Sequence, residues 1–108
     1  AGMADGAYRL GSLDVQVTDG IARVGATGAI AGSTATMASL FERAVRRLPG
    51  PVDEVLVAVT DMTSSTPART LGLDDVGDLV PGRQADWVVV RDGRVREVYR
   101  RAQPVGTD

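Results

Sequence analysis

No histidine and no cysteine occur anywhere in the 108 residues. Without cysteine there is no disulfide framework, no thiolate zinc site and no thiol nucleophile. Without histidine, Ser64-Ser65 has no imidazole to activate it, which excludes a serine hydrolase within the chain. Lysine is missing too: all twelve basic residues are arginine. That removes Schiff-base and lysine-base chemistry. No stretch approaches the ~20 apolar residues of a membrane span. The net charge of −2 argues against a nucleic-acid footprint. A length of 108 residues fits one small domain. It is far short of the roughly 250 residues of a (β/α)8 barrel.

What is present begins with strands. Leu13, Val15 and Val17 alternate with Asp14, Gln16 and Thr18, a period of two. Asp19-Gly20 offers the two positive-φ positions of a tight hairpin, and Ile21–Val24 returns as the partner strand. Tyr8-Arg9-Leu10 starts the pairing earlier, with Gly11 as turn or bulge. Gly25 to Gly32 is a loop of small residues, after which Ser33 or Thr34 can cap a helix. Met37, Leu40, Phe41, Ala44, Val45 and Leu48 make one apolar stripe at helical period. Pro49-Gly50-Pro51 ends that helix and opens a second, with Asp53 and Glu54 at its positive end. Thr66-Pro67 reads as a cap and first helical position, starting a short helix that Gly72 stops. Trp87 to Val90 is expected to be a strand buried on both faces. Asp92-Gly93 turns it into a return strand, Arg94 to Arg100. Arginines alternating there read as protection of an edge strand.

The order Thr66-Pro67-Ala68-Arg69, Leu71-Gly72-Leu73, then Gly77-Asp78-Leu79-Val80-Pro81-Gly82-Arg83-Gln84-Ala85-Asp86 into Trp87–Val90 resembles the C-terminal signature of the amidohydrolase superfamily. Gly28-Ala29-Ile30-Ala31-Gly32-Ser33-Thr34-Ala35-Thr36-Met37 narrows this. It resembles the loop and helix start of N-acetylglucosamine-6-phosphate deacetylases, as does the ribbon from Asp5-Gly6 to Asp19-Gly20. The resemblance implies an α/β piece: the C-terminal part of a (β/α)8 barrel, a β-ribbon plus the last helices, with strands of an accessory β-sandwich. Residues 1–72 would close the barrel, with a hairpin at 7–24, a substrate loop at 25–33 and helices at 34–48, 52–62 and 67–71. Residues 73–103 would give sandwich strands, and 104–108 a tail. Met37, Leu40, Phe41, Val45, Val55, Leu56 and Val59 would then face a barrel that this chain does not encode.

The same resemblance implies an activity for the longer parent: metal-dependent removal of acetate from N-acetylglucosamine 6-phosphate in a cytoplasmic, homodimeric enzyme. Its divalent metal (zinc or similar) and its catalytic aspartate would lie upstream, the latter just before Ala1-Gly2-Met3. This chain would bind no metal and contribute no catalytic residue. Substrate contact would fall on Ile30, Ala31 and Gly32, where small residues admit a ligand close to the backbone. Its partners would be the rest of the barrel and the sugar phosphate, with neither nucleic acid nor membrane. Read from spacing alone, the loop is a glycine-dependent junction and nothing more. Two other readings remain: a segment of another amidohydrolase (dihydroorotase-like or an amino-acid deacylase), or a non-catalytic interaction module.

Overall fold

The structure is a computed structural model and describes residues 1–106. The chain divides into two compact units, Ala1–Thr36 and Met37–Asp108.

The first unit is a four-stranded antiparallel sheet in the order β1-β2-β3-β4. Its strands are β1 (Gly6–Leu10), β2 (Leu13–Thr18), β3 (Ile21–Val24) and β4 (Ile30–Gly32). Asp19 and Gly20 take φ values of 50° and 71° at the β2–β3 turn. Two consecutive positive-φ residues give the turn whose twist matches the flanking strands. The register pairs Val17 with Ala22 and Val15 with Val24. Val15, Val17 and Ala22 are buried, with Tyr8 and Ala31 packed against them. The small-residue stretch after β3 is not all loop. Its last three residues pair with β3 as β4, Arg23 opposite Ile30 and Ala22 opposite Gly32.

The second unit places α1 (Met37–Arg47) and α2 (Val52–Thr60) against a three-stranded sheet of β5 (Trp87–Arg91), β6 (Arg94–Arg100) and β7 (Gln103–Pro104). Phe41 from α1 and Val55 and Val59 from α2 form its core, and Ala44, Val45, Leu56, Val90 and Val95 pack around them. Val59 is fully buried. A side chain of that size contributes about 1.5–3 kcal/mol on burial. This corrects the expectation that Phe41, Val45, Val55, Leu56 and Val59 face an external barrel: the two helices bury them on each other and on β5–β6. Met37 and Leu40, from the same stripe, stay exposed.

The first helix starts at Met37, three residues later than the 34 expected, although the Ser33 hydroxyl accepts from the Ala35 amide at 3.1 Å. Nor does Thr66 cap a new helix. α2 runs through a π-helical turn, Asp61–Ser65, into α3 (Thr66–Leu71), and Thr66 has helical backbone angles. The Thr66 amide donates to the Asp61 carbonyl five residues back. Pro67 has no N–H and its ring clashes with the carbonyl four residues back, so the wider turn lets the helix pass it. Gly72 ends α3 at φ 67°. Its amide donates to the Arg69 carbonyl and that of Leu73 to Ala68, which satisfies two of the helix's last carbonyls.

Asp92 and Gly93 form a second positive-φ pair between β5 and β6. Trp87 and Tyr99, opposite each other in that ladder, stack with centroids 4.6 Å apart and planes 13° off parallel. Two expectations fail here. Val88 is 48% exposed and its neighbours are half-buried, so the Trp87–Val90 run is not buried on both faces. β6 is the middle strand, because Gln103–Pro104, expected in part as tail, pairs along its far side. The register shifts by one residue between Val89 and Val90, and the Val95 amide turns to Glu42 Oε1 of α1 at 3.0 Å. A helix side chain thus serves a donor near an irregularity in the ladder.

Candidate functional site

Ile30, Ala31 and Gly32 all lie on β4, the last strand in its sheet order, so one edge of β4 is left open within the sheet. An open edge offers backbone donors and acceptors to a ligand without further rearrangement. Ala31 turns inward onto the Val15–Val17–Ala22 cluster, whereas Ile30 is 71% exposed. Gly32 does not take a positive φ, and a Cβ built on it meets nothing within 4 Å. Gly32 therefore leaves open space over the strand and has no unusual backbone geometry. The glycine with positive φ is Gly28, at 68°, in the turn that feeds β4. That turn is tied down by Arg23 Nη1 donating to the Gly28 carbonyl at 2.8 Å and by the Val24 amide donating to Ala29.

A group that periodicity did not reveal surrounds the β2–β3 turn. Asp5 accepts from the amides of Asp19 (2.9 Å) and Gly20 (3.0 Å) through its two carboxylate oxygens. The Gly20 and Asp19 amides hold its carboxyl below the ordinary value near 3.8. The Thr34 hydroxyl donates to the Gly20 carbonyl, and the Thr34 carbonyl accepts from the Gly2 amide. Chain on both sides of β4 is thereby fastened: through the Gly28 turn before it and through Thr34 after it. The only local cue to Asp5 is a carboxylate before a glycine. Its partners are 14 and 15 residues away, beyond any helical or strand spacing.

In the second unit the Gly77–Asp86 stretch is a locked loop. Asp78 bonds on both sides: Ser65 Oγ at 2.9 Å and Arg83 Nη1 at 2.8 Å. Ser65 is buried and its hydroxyl also lies 3.0 Å from the Gly77 carbonyl. Asp86 accepts from the Arg101 amide (2.7 Å) and from Gln84 Nε2 (2.6 Å), in that order the main reasons its carboxyl sits below the usual range. It bridges strand ends, as a carboxylate at a strand entry is expected to. Arg69 pairs with Asp61 Oδ1 at 3.0 Å and with Thr66 Oγ1 at 3.0 Å. That Asp61 carboxyl is lowered first by Arg69 and then by Thr66. A largely apolar groove of about 910 Å3 runs between the helices and β5–β7, lined by Phe41, Leu56, Leu79, Trp87 and Val98 among others. These carboxylates accept from amides, hydroxyls and guanidinium groups of the same unit. Among the described residues, no group of three or more His, Cys, Asp or Glu could hold a metal ion. No helix among them is long and apolar enough to cross a membrane.

Residues 3–105 match the amidohydrolase family. The chain belongs to that family. Among curated amidohydrolases it is similar to a putative N-acetylgalactosamine-6-phosphate deacetylase of Escherichia coli strain K12. Identity is 36% over 105 residues, covering 95% of this chain and 60% of that protein. A second is the N-acetylgalactosamine-6-phosphate deacetylase of E. coli O157:H7, 36% identical over 105 residues, covering 95% of this chain and 26% of that protein. Among solved structures it is similar to a mutant N-acetyl-D-glucosamine-6-phosphate deacetylase of Mycobacterium smegmatis in complex with N-acetyl-D-glucosamine-6-phosphate. The TM-score is 0.85 at 45% identity, covering 98% of this chain and 28% of that one. The chain thus spans 60% of the first of these relatives and little more than a quarter of the other two.

Proposed function

We propose that this chain acts as the closing segment of a deacetylase that hydrolyses N-acetyl-D-glucosamine 6-phosphate to glucosamine 6-phosphate and acetate. The observation that carries the reading is the match, at TM-score 0.85 and 45% identity, to a deacetylase solved with that sugar phosphate. Residues 1–72 would close a (β/α)8 barrel and residues 73–103 would supply strands to an accessory sandwich. The complete enzyme would be cytoplasmic and homodimeric.

The family's divalent metal would supply activation of water and polarisation of the amide. Among the described residues the carboxylates do not fit such a metal: no group of three comes together. The chain's own contribution is binding. The backbone of Ile30, Ala31 and Gly32 on the open edge of β4 would meet the sugar, with Gly32 leaving room for its approach. Holding a substrate in one pose turns part of the barrier into entropy already lost on binding.

N-Acetylgalactosamine 6-phosphate, which differs at C4, is the second reading, favoured by the 36% identity to the two E. coli proteins. A hybrid decides between them. This chain replaces its counterpart in the M. smegmatis deacetylase, and acetate release is measured with both sugar phosphates. Turnover of the glucosamine derivative within about tenfold of the parent supports the first reading. Preference for the galactosamine derivative supports the second. A folded, metal-loaded hybrid inactive on both overturns the deacetylase reading.

A further inference from the structure

We propose that Asp5 is a positioning residue for substrate: by clamping the β2–β3 turn it fixes the line along which β4 presents Ile30 to Gly32. The inference rests on the substrate contact proposed above and adds the device that makes it rigid. Asp5 spans from the segment before β1 to the Asp19 and Gly20 amides, at 2.9 and 3.0 Å. On the same turn, the Gly20 carbonyl accepts the Thr34 hydroxyl, and Thr34 follows β4 by two residues. The Gly2 amide closes the ring on the Thr34 carbonyl at 2.8 Å. Two distant stretches thus meet at one hairpin tip, Asp5 and Thr34 on residues 19–20, and Gly2 of the N-terminal stretch bonds Thr34 in turn.

The arrangement compensates for a weakness of β4. A three-residue strand held by two pairings, with a register irregularity beside them, has little stiffness of its own. Its entry is fixed by Arg23 on Gly28 and its exit by Thr34 on the clamped turn. Neither Asp5 nor Thr34 touches substrate in this scheme. Both act through β4, so their loss should weaken binding geometry and leave the chemical step intact.

The test uses the hybrid deacetylase once its unsubstituted form turns over, so that a failure here is a failure of the clamp and not of the deacetylase reading. Asp5→Ala removes both charge-assisted hydrogen bonds and should raise KM at least about tenfold with kcat within about twofold. Asp5→Asn keeps one acceptor and should fall between the two. Metal content should not change. An unchanged KM in Asp5→Ala, or a fall in kcat with KM unaltered, would overturn the proposal. If Asp5→Ala does not fold, Thr34→Val carries the test. It removes the hydroxyl from the other side of the turn and should show the same rise in KM, while an unchanged KM there is equally fatal.

Discussion

Gly77→Ala tests the locked loop with two separable energies. Gly77 takes φ 95°, and an added Cβ would lie 2.5 Å from the Ala68 Cβ and 3.4 Å from the Ser64 carbonyl oxygen. A side chain in that backbone region costs of order 1–3 kcal/mol. Overpacking against Ala68, which is buried on α3, costs about 1–3 kcal/mol more. The loop cannot simply withdraw, since the Gly77 carbonyl and Asp78 are both bonded to Ser65. We expect Gly77→Ala to destabilise the chain by roughly 2–6 kcal/mol, measured by urea unfolding followed at Trp87, the only tryptophan. Ala68→Gly separates the two terms. Alone it costs about 1 kcal/mol for glycine in a helix. Combined with Gly77→Ala it removes the clash and keeps the φ strain, so the pair should be less destabilised than the sum of the singles by about 1–3 kcal/mol. Loss below about 0.5 kcal/mol in Gly77→Ala, or strict additivity in the pair, would refute the close-approach reasoning.

Phe41→Ala should cost about 3–5 kcal/mol in the same unfolding assay, because Val55 and Val59 would be left around a void; a cost under 1 kcal/mol would mean the helices repack freely. Asp5, Asp61 and Asp86 have folded pKa values below the ordinary 3.8, so their stabilisation is fully present above that pH and is lost as pH falls through the lowered values. The urea midpoint should therefore hold above about pH 3.8 and drop as pH falls below it, and carboxyl resonances titrating at or above 3.8 would contradict this. Gly32→Val should leave stability within about 0.5 kcal/mol, since its site is open and its φ is not positive. In the hybrid enzyme the same change should raise KM with metal still bound, and unchanged kinetics would reduce β4 to a junction.

Elements governed by neighbours in sequence were readable from it. Asp19-Gly20 and Asp92-Gly93 announce hairpins because only certain residues tolerate two positive φ values in succession, and Gly72 announces a helix end for the same reason. Ile30, Ala31 and Gly32 stand out through composition and family likeness, yet their pairing as a strand did not, since small residues carry no period of two. Contacts made across long separations left no trace in any window. Glu42 meets Val95 across 53 residues and Asp5 meets Asp19 across 14. The apolar stripe was assigned the wrong neighbour, and of its residues Phe41 is buried while Met37, Leu40 and Leu48 stay exposed. Periodicity says that Phe41 and Val59 are covered, not by what.

The proposed place of the chain in the reaction rests on one strand, and ligand-dependent amide exchange in the hybrid deacetylase examines that strand directly. Amides of Ile30 to Gly32 should exchange several-fold more slowly with N-acetyl-D-glucosamine 6-phosphate bound, while Val15 to Val17, already paired within the sheet, should not change. Equal exchange at Ile30 to Gly32 with and without a saturating sugar phosphate would contradict the assignment of β4 to substrate.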